Sequence, residues 1–102
     1  MEKQKEEIDA LDFNNSIAEF LKDGLRKYIE ENEKATFPTA PSFTFLGCAE
    51  NASLEERMAE WHKVVERLAV KFDELSTACH LEQEDIDGAF DELKRVYNYL
   101  WI

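Results

Sequence analysis

The sequence predicts an all-α fold: one domain over residues 1–102, built as an antiparallel three-helix bundle with one long ordered aromatic and proline-bearing loop between helices one and two. Three observations predict it. Apolar residues recur at offsets of three and four through 16–33, 53–79 and 83–100, the spacing that lines one face of an α-helix. Helix breakers are scarce, with 3 glycines and 2 prolines in 102 residues, so elements run long. Both prolines fall between the first two periodic segments.

Residues 1–12 are a polar lead-in, with Ile8 and Leu11 as large apolar side chains. Helix one follows over 16–33. Ser16 with Glu19 has the capping-box spacing, in which each side chain satisfies a backbone donor at the helix start. Its stripe is Ile17, Phe20, Leu21, Leu25, Tyr28 and Ile29, with Phe13 one turn earlier. Gly24 on that stripe would let another helix approach closely. The segment 35–52, ATFPTAPSFTFLGCAENA, holds Pro38, Pro41 and a single charge, Glu50. The prolines oppose a helix there. Phe37, Phe43, Phe45 and Leu46 are too apolar for a solvated linker and are expected to be buried.

Helix two, 53–79, has the strongest signal. Ser53 and Glu56 repeat the capping-box spacing, and Leu54, Met58, Trp61, Val65, Leu68, Phe72, Leu75 and Cys79 alternate offsets of four and three. Helix three starts near Glu82, with acids in the first turn and Lys94 and Arg95 in the later turns, as the helix dipole favours. Its stripe is Ile86, Phe90, Leu93, Val96 or Tyr97, and Leu100. Trp101 and Ile102 are expected to dock against helix one or two.

Charge narrows the partners. There are 23 acids against 12 bases, a net charge of −11. Such a surface repels phosphate backbones, which excludes direct nucleic-acid binding, and it is equally unsuited to anionic membranes. A protein partner with a basic surface is its electrostatic complement. The opening MEKQKEEIDA lacks the apolar region of a signal peptide, and no run reaches the length of a membrane span. Cys48 and Cys79 are therefore expected as free thiols.

Candidate chemistry is sparse. His62 with Glu66 has i, i+4 spacing, but a di-iron bundle needs Glu-x-x-His on two helices; Ala59 precedes His62 and Thr77 precedes His80. No metal site or cofactor is expected, and His62 reads as an exposed residue beside the stripe. Cys79 and His80 are adjacent on a helix and point about 100° apart, so Cys79 reads as a small core residue. QEDIDGAFDELK places Gln83 and Lys94 where a calcium loop requires acids. No catalytic motif is present, and the chain is not expected to be an enzyme.

The feature left over is a run of six acids without a base: Glu82, Glu84, Asp85, Asp87, Asp91 and Glu92. One reading is a solvated helix face. The sharper reading is a partner-binding surface whose carboxylates mimic nucleic-acid phosphates on the Lys and Arg of a basic site.

Three stretches together carry a resemblance: LDFNNSIAEFLKDGLRKYIEENEKATFP, SLEERMAEWHKVVERLAVKFDEL and FDELKRVYNYLWI. They resemble small proteins of tailed phages and prophages of gut bacteria. The resemblance implies a bacterial cytoplasmic setting and brings no activity and no catalytic residues. It makes an inhibitor of a host defence or nucleic-acid enzyme one expectation. The alternative is a phage assembly or structural adaptor that binds virion proteins or itself, a homodimer being the simplest case, through apolar contact.

Overall fold

The structure, a computed structural model, describes residues 13–102. The polar lead-in expected over 1–12 lies outside the described residues. Among the described residues four helices occur: α1 (Phe13–Lys34), α2 (Phe43–Leu46), α3 (Leu54–Thr77) and α4 (Gln83–Val96), followed by a 3-10 turn, Tyr97–Tyr99. All regular structure among the described residues is helical. The all-α expectation therefore holds, with one more helix than expected.

α3 is the element the others share. Ser53 Oγ accepts the Glu56 N–H at 3.1 Å and Glu56 Oε1 accepts the Ser53 N–H at 2.9 Å, so the capping box forms as its spacing predicts. Trp61, Val65, Leu68 and Phe72 are fully buried, one per half-heptad step, and Leu75 extends the line. Burial of each such side chain contributes roughly 1.5–3 kcal/mol. The stripe stops short of Cys79. α3 ends at Thr77 and Ala78 turns extended (φ −73°, ψ 138°), which takes Cys79 off the helix and leaves it exposed rather than in the core.

α1 is already helical at Phe13, so Ser16 lies inside the helix and does not cap it. Ala18, Leu25 and Asn32 are its buried residues, seven apart, about two turns each. Partners fall along α3 as they rise along α1: Lys22 with Asp73 (3.7 Å), Arg26 with Glu66 (2.9 Å), Asn32 with His62 (2.9 Å). Gly24 does not admit a helix; it is exposed, and a Cβ there would meet nothing within 4 Å.

The 35–52 segment is ordered around α2. Ser42 caps its start, and Gly47 at φ 74° ends it in the left-handed region that glycine enters without steric cost. The prolines oppose a helix only up to Pro41; Phe43–Leu46 forms a helical turn beyond them. Phe45 meets Trp61 edge-on at 6.2 Å and lies under the Arg95 guanidinium at 4.7 Å. Phe43 and Leu46 are half-buried. Phe37 overturns the expectation of burial, at 83% exposed. The loop is fastened at Thr39 by hydrogen bonds, so Phe37 is not needed as an anchor.

α4 buries Ala89 and Val96 and packs Ile86 and Leu93 against the core, which selects Val96 over Tyr97. Phe90 is only partly covered; its ring sits edge-on to Phe72 at 5.1 Å. The Trp101 and Ile102 side chains do not dock as expected, and both are exposed, although the Trp101 carbonyl accepts from Tyr28 of α1. The 3-10 turn redirects the chain after Val96, and Tyr99 contacts the core instead, 4.5 Å from Phe45 and 6.2 Å from Trp61.

Candidate interaction surface and the polar network behind it

A polar network holds the elements that present the surface. Asn32 is fully buried in α1. Its Oδ1 accepts the Thr39 N–H at 3.0 Å and its Nδ2 donates to the Thr39 carbonyl at 2.9 Å. That reciprocal pair fixes the amide, since a flip would set donor against donor. The second Nδ2 hydrogen then points at His62 Nε2, 2.9 Å away. Nε2 must accept, so the neutral ring carries its proton on Nδ1, which lies 3.7 Å from Glu33 Oε2. Burial pushes the His62 pKa down, and Glu33 opposes that shift. His62 is therefore not the exposed residue its position beside the stripe suggested; its side chain is 12% exposed.

A second strand of the network runs through Tyr28. Trp61 Nε1 donates to its hydroxyl oxygen at 3.0 Å, and the hydroxyl lies 3.3 Å from the Tyr99 carbonyl and 3.2 Å from that of Trp101. Thr39 Oγ1 donates to the Trp101 carbonyl at 2.6 Å. Among the described residues, no buried side-chain nitrogen or oxygen lacks a partner.

The six acids do not form one patch. Glu84, Asp87 and Asp91, at offsets of three and four, share one side of α4. Asp85 and Glu92, seven apart, lie toward Lys71 of α3, whose hollow Glu84 lines as well. Three are already engaged. Glu82 lies 3.2 Å from His80 Nε2, Asp87 accepts from Gln83 Nε2 at 2.9 Å, and Glu92 takes both Arg95 donors at 3.3 and 2.8 Å. The Arg95 hydrogen bonds hold the Glu92 carboxyl below the usual carboxylate range. With Arg95 stacked on Phe45, that pair ties α4 to the loop. Glu84, Asp85 and Asp91 are exposed and take no side-chain hydrogen bond or ion pair among the described residues.

The remaining candidates carry little chemistry. Residues 83–94 are continuous helix, so they cannot be a calcium-binding loop. Among the described residues, no three His, Cys, Asp or Glu gather as a metal site. Cys48 and Cys79 are free thiols. No helix there is long and apolar enough to cross a membrane.

Sequence reasoning missed Asn32 and Thr39. The signal was present: Asn32 sits seven residues after Leu25 on the core side of the helix, where a polar residue needs a partner.

Fold and surface together define the class: an all-helical protein that presents an acid-bearing helix. Comparison of the chain with protein-family models, with curated proteins and with solved structures finds no match.

Proposed function

We propose that this is a non-catalytic protein-interaction protein that binds a basic site on a partner through the exposed acids of α4. We read its architecture as an antiparallel bundle of the three long helices and its setting as the bacterial cytoplasm, with the phage-type resemblance behind that setting. The observation that carries the reading is the division among the acids. Glu82, Asp87 and Glu92 are engaged locally, while Glu84, Asp85 and Asp91 stand exposed without side-chain partners on an ordered helix. On an ordered helix these carboxylates meet Lys and Arg with no backbone left to order, and such contacts raise association rates more than they deepen affinity. In its sharper form the protein is an inhibitor that occupies a site built for nucleic-acid phosphates.

The test compares the wild type with a Glu84→Gln, Asp85→Asn, Asp91→Asn variant, both immobilised over bacterial cytosol. Support is a protein captured by the wild type at low salt, lost with the variant and at high salt, and displaced by duplex DNA. Equal capture by both proteins refutes the reading. A second reading, the assembly adaptor, draws on a different observation. Phe13, Ile17 and Phe20, at offsets of four and three on α1, are exposed, Phe20 at 75%. That reading requires a salt-independent contact or a homodimer abolished by Phe20→Ser.

A further inference from the structure

We propose that α4 presents a docking strip for an amphipathic helix of the partner, one with Lys or Arg along the edge of its apolar face. The inference rests on the reading above and names the kind of partner that reading leaves open.

The strip has an apolar centre. Phe90 and Tyr97, two turns apart or about 10 Å along the axis, are 42% and 71% exposed. With Leu93, Lys94 and Asn98 they line one open hollow of about 430 Å³. A partner helix matches that layout with anchors spaced by one or two turns. A flat basic cleft shaped for phosphates offers nothing to cover two aromatic rings.

The strip also has a charged edge. Glu84, Asp87 and Asp91 step along α4 at offsets of three and four, Glu84 at the hollow that Lys71 lines and Asp87 one turn before Phe90, and Lys94 follows at the next offset of three. The edge is negative toward the start of α4 and positive at its far end. A partner helix carrying cations beside its apolar side meets the acids, and the charge reversal at Lys94 sets its direction. A second copy of this chain fits poorly: each strip carries three of these acids and one lysine, so two strips set six acids against two lysines. Anionic lipid is repelled by the same acids.

The experiment titrates the full chain with a synthetic helical peptide of Leu and Lys whose leucines fall at i, i+3, i+4 and i+7. Its control is a scrambled peptide of the same composition with no apolar face. Isothermal calorimetry reads both. The expected result is binding at least about ten-fold tighter for the amphipathic peptide, weakened about ten-fold by Tyr97→Ala. Tyr97 is exposed, so that variant keeps its fold, and circular dichroism checks it. Glu84→Gln, Asp87→Asn, Asp91→Asn should weaken binding and remove its salt dependence. Equal binding of both peptides, or indifference to Tyr97→Ala, overturns the docking strip while the acidic-face reading stands. Indifference to the three acid substitutions overturns the docking strip as well, and the acidic-face reading is then decided by the capture test on Glu84, Asp85 and Asp91. A concentration-dependent dimer in sedimentation that Tyr97→Ala dissolves also overturns the inference, because the strip then belongs to a second copy.

Discussion

Acidification from pH 7.5 to 5 should destabilise this protein through His62. At the upper end the ring is neutral in both the folded and unfolded chain. Burial lowers its folded pKa below the ordinary histidine value of about 6.5. As pH falls through that value the unfolded chain takes up a proton that the folded chain resists. The unfolded state then binds more protons, so stability falls with falling pH and levels off once the folded ring is charged too. The magnitude follows from geometry. A proton on Nε2 faces an Asn32 N–H that Thr39 prevents from turning away, and a buried donor left without its acceptor costs about 1–3 kcal/mol. The charged groups around the ring are Glu33 on α1 and Lys63, Glu66 and Arg67 on α3, which line the same hollow. Only Glu33 approaches Nδ1, and it moderates the effect without reversing it.

The assay is urea denaturation followed by circular dichroism across that pH range, with His62→Gln as reference. Glutamine can accept from Asn32 and does not titrate. The difference between the two proteins cancels the other carboxylates, including Glu92, which titrates below this window. The wild type should lose about 1–3 kcal/mol relative to the variant, a shift in Tm of about 4–8 °C for each kcal/mol. Parallel loss in both proteins would refute the locked amide and the tautomer derived from it.

Three further outcomes follow from burial and bonding. Asn32→Ala should cost about 1–3 kcal/mol for each Thr39 backbone group it leaves unpaired, and proteolysis within 35–41 should accelerate; unchanged cleavage would show that the loop is held elsewhere. Leu68→Ala, at a fully buried position on α3, should lower the unfolding free energy by about 2–5 kcal/mol in urea, and a loss below 1 kcal/mol would place Leu68 outside the core. Phe37→Ser should leave stability within about 0.5 kcal/mol while raising solubility; a large loss would mean the ring is covered in solution.

The long periodic stretches were legible because helical spacing and burial are one signal. Trp61, Val65, Leu68 and Phe72 were named from offsets alone, as was the Ser53–Glu56 cap. Some misreadings lie in mid-helix, where Phe20 of the α1 stripe is 75% exposed, Gly24 admits no helix and His62 is covered; others lie at element ends. Cys79 and Trp101 both continue an apolar spacing past the last helical residue, and periodicity cannot report where the backbone leaves the helix. The aromatic loop misled for another reason. Composition suggested apolar plugging by four side chains; Phe45 and Leu46 do pack on the core, but Phe37 does not, and the loop is fastened as well by the polar bonds at Thr39, which rely on Asn32, seven residues earlier. The acids were legible as a run in sequence, but α4 distributes them over two sides, and local pairing with His80, Gln83 and Arg95 is a three-dimensional fact.

The last residues show how a backbone can be held while its side chains stay free. Trp101 is 61% exposed, yet its carbonyl meets two hydroxyls. Tyr28 has one hydrogen and two carbonyls within reach, Tyr99 and Trp101, while its oxygen takes the Trp61 N–H. It can serve only one carbonyl at a time. Thr39, at 2.6 Å, is therefore the steadier donor to Trp101. Trp101→Ala should then leave stability within about 0.5 kcal/mol, because an exposed ring contributes little and the carbonyl remains. Thr39→Val should cost about 0.5–1.5 kcal/mol and speed amide exchange over residues 97–102, with the exchange of α3 unaltered. Removing Trp101 and Ile102 together should resemble Thr39→Val, since both abolish the same bond. If Trp101→Ala proves costlier than Thr39→Val, the indole packs on the protein in solution. The end of α4 would then be pinned by a side chain, and the surface that Tyr97 offers to a partner would be smaller than its exposure implies.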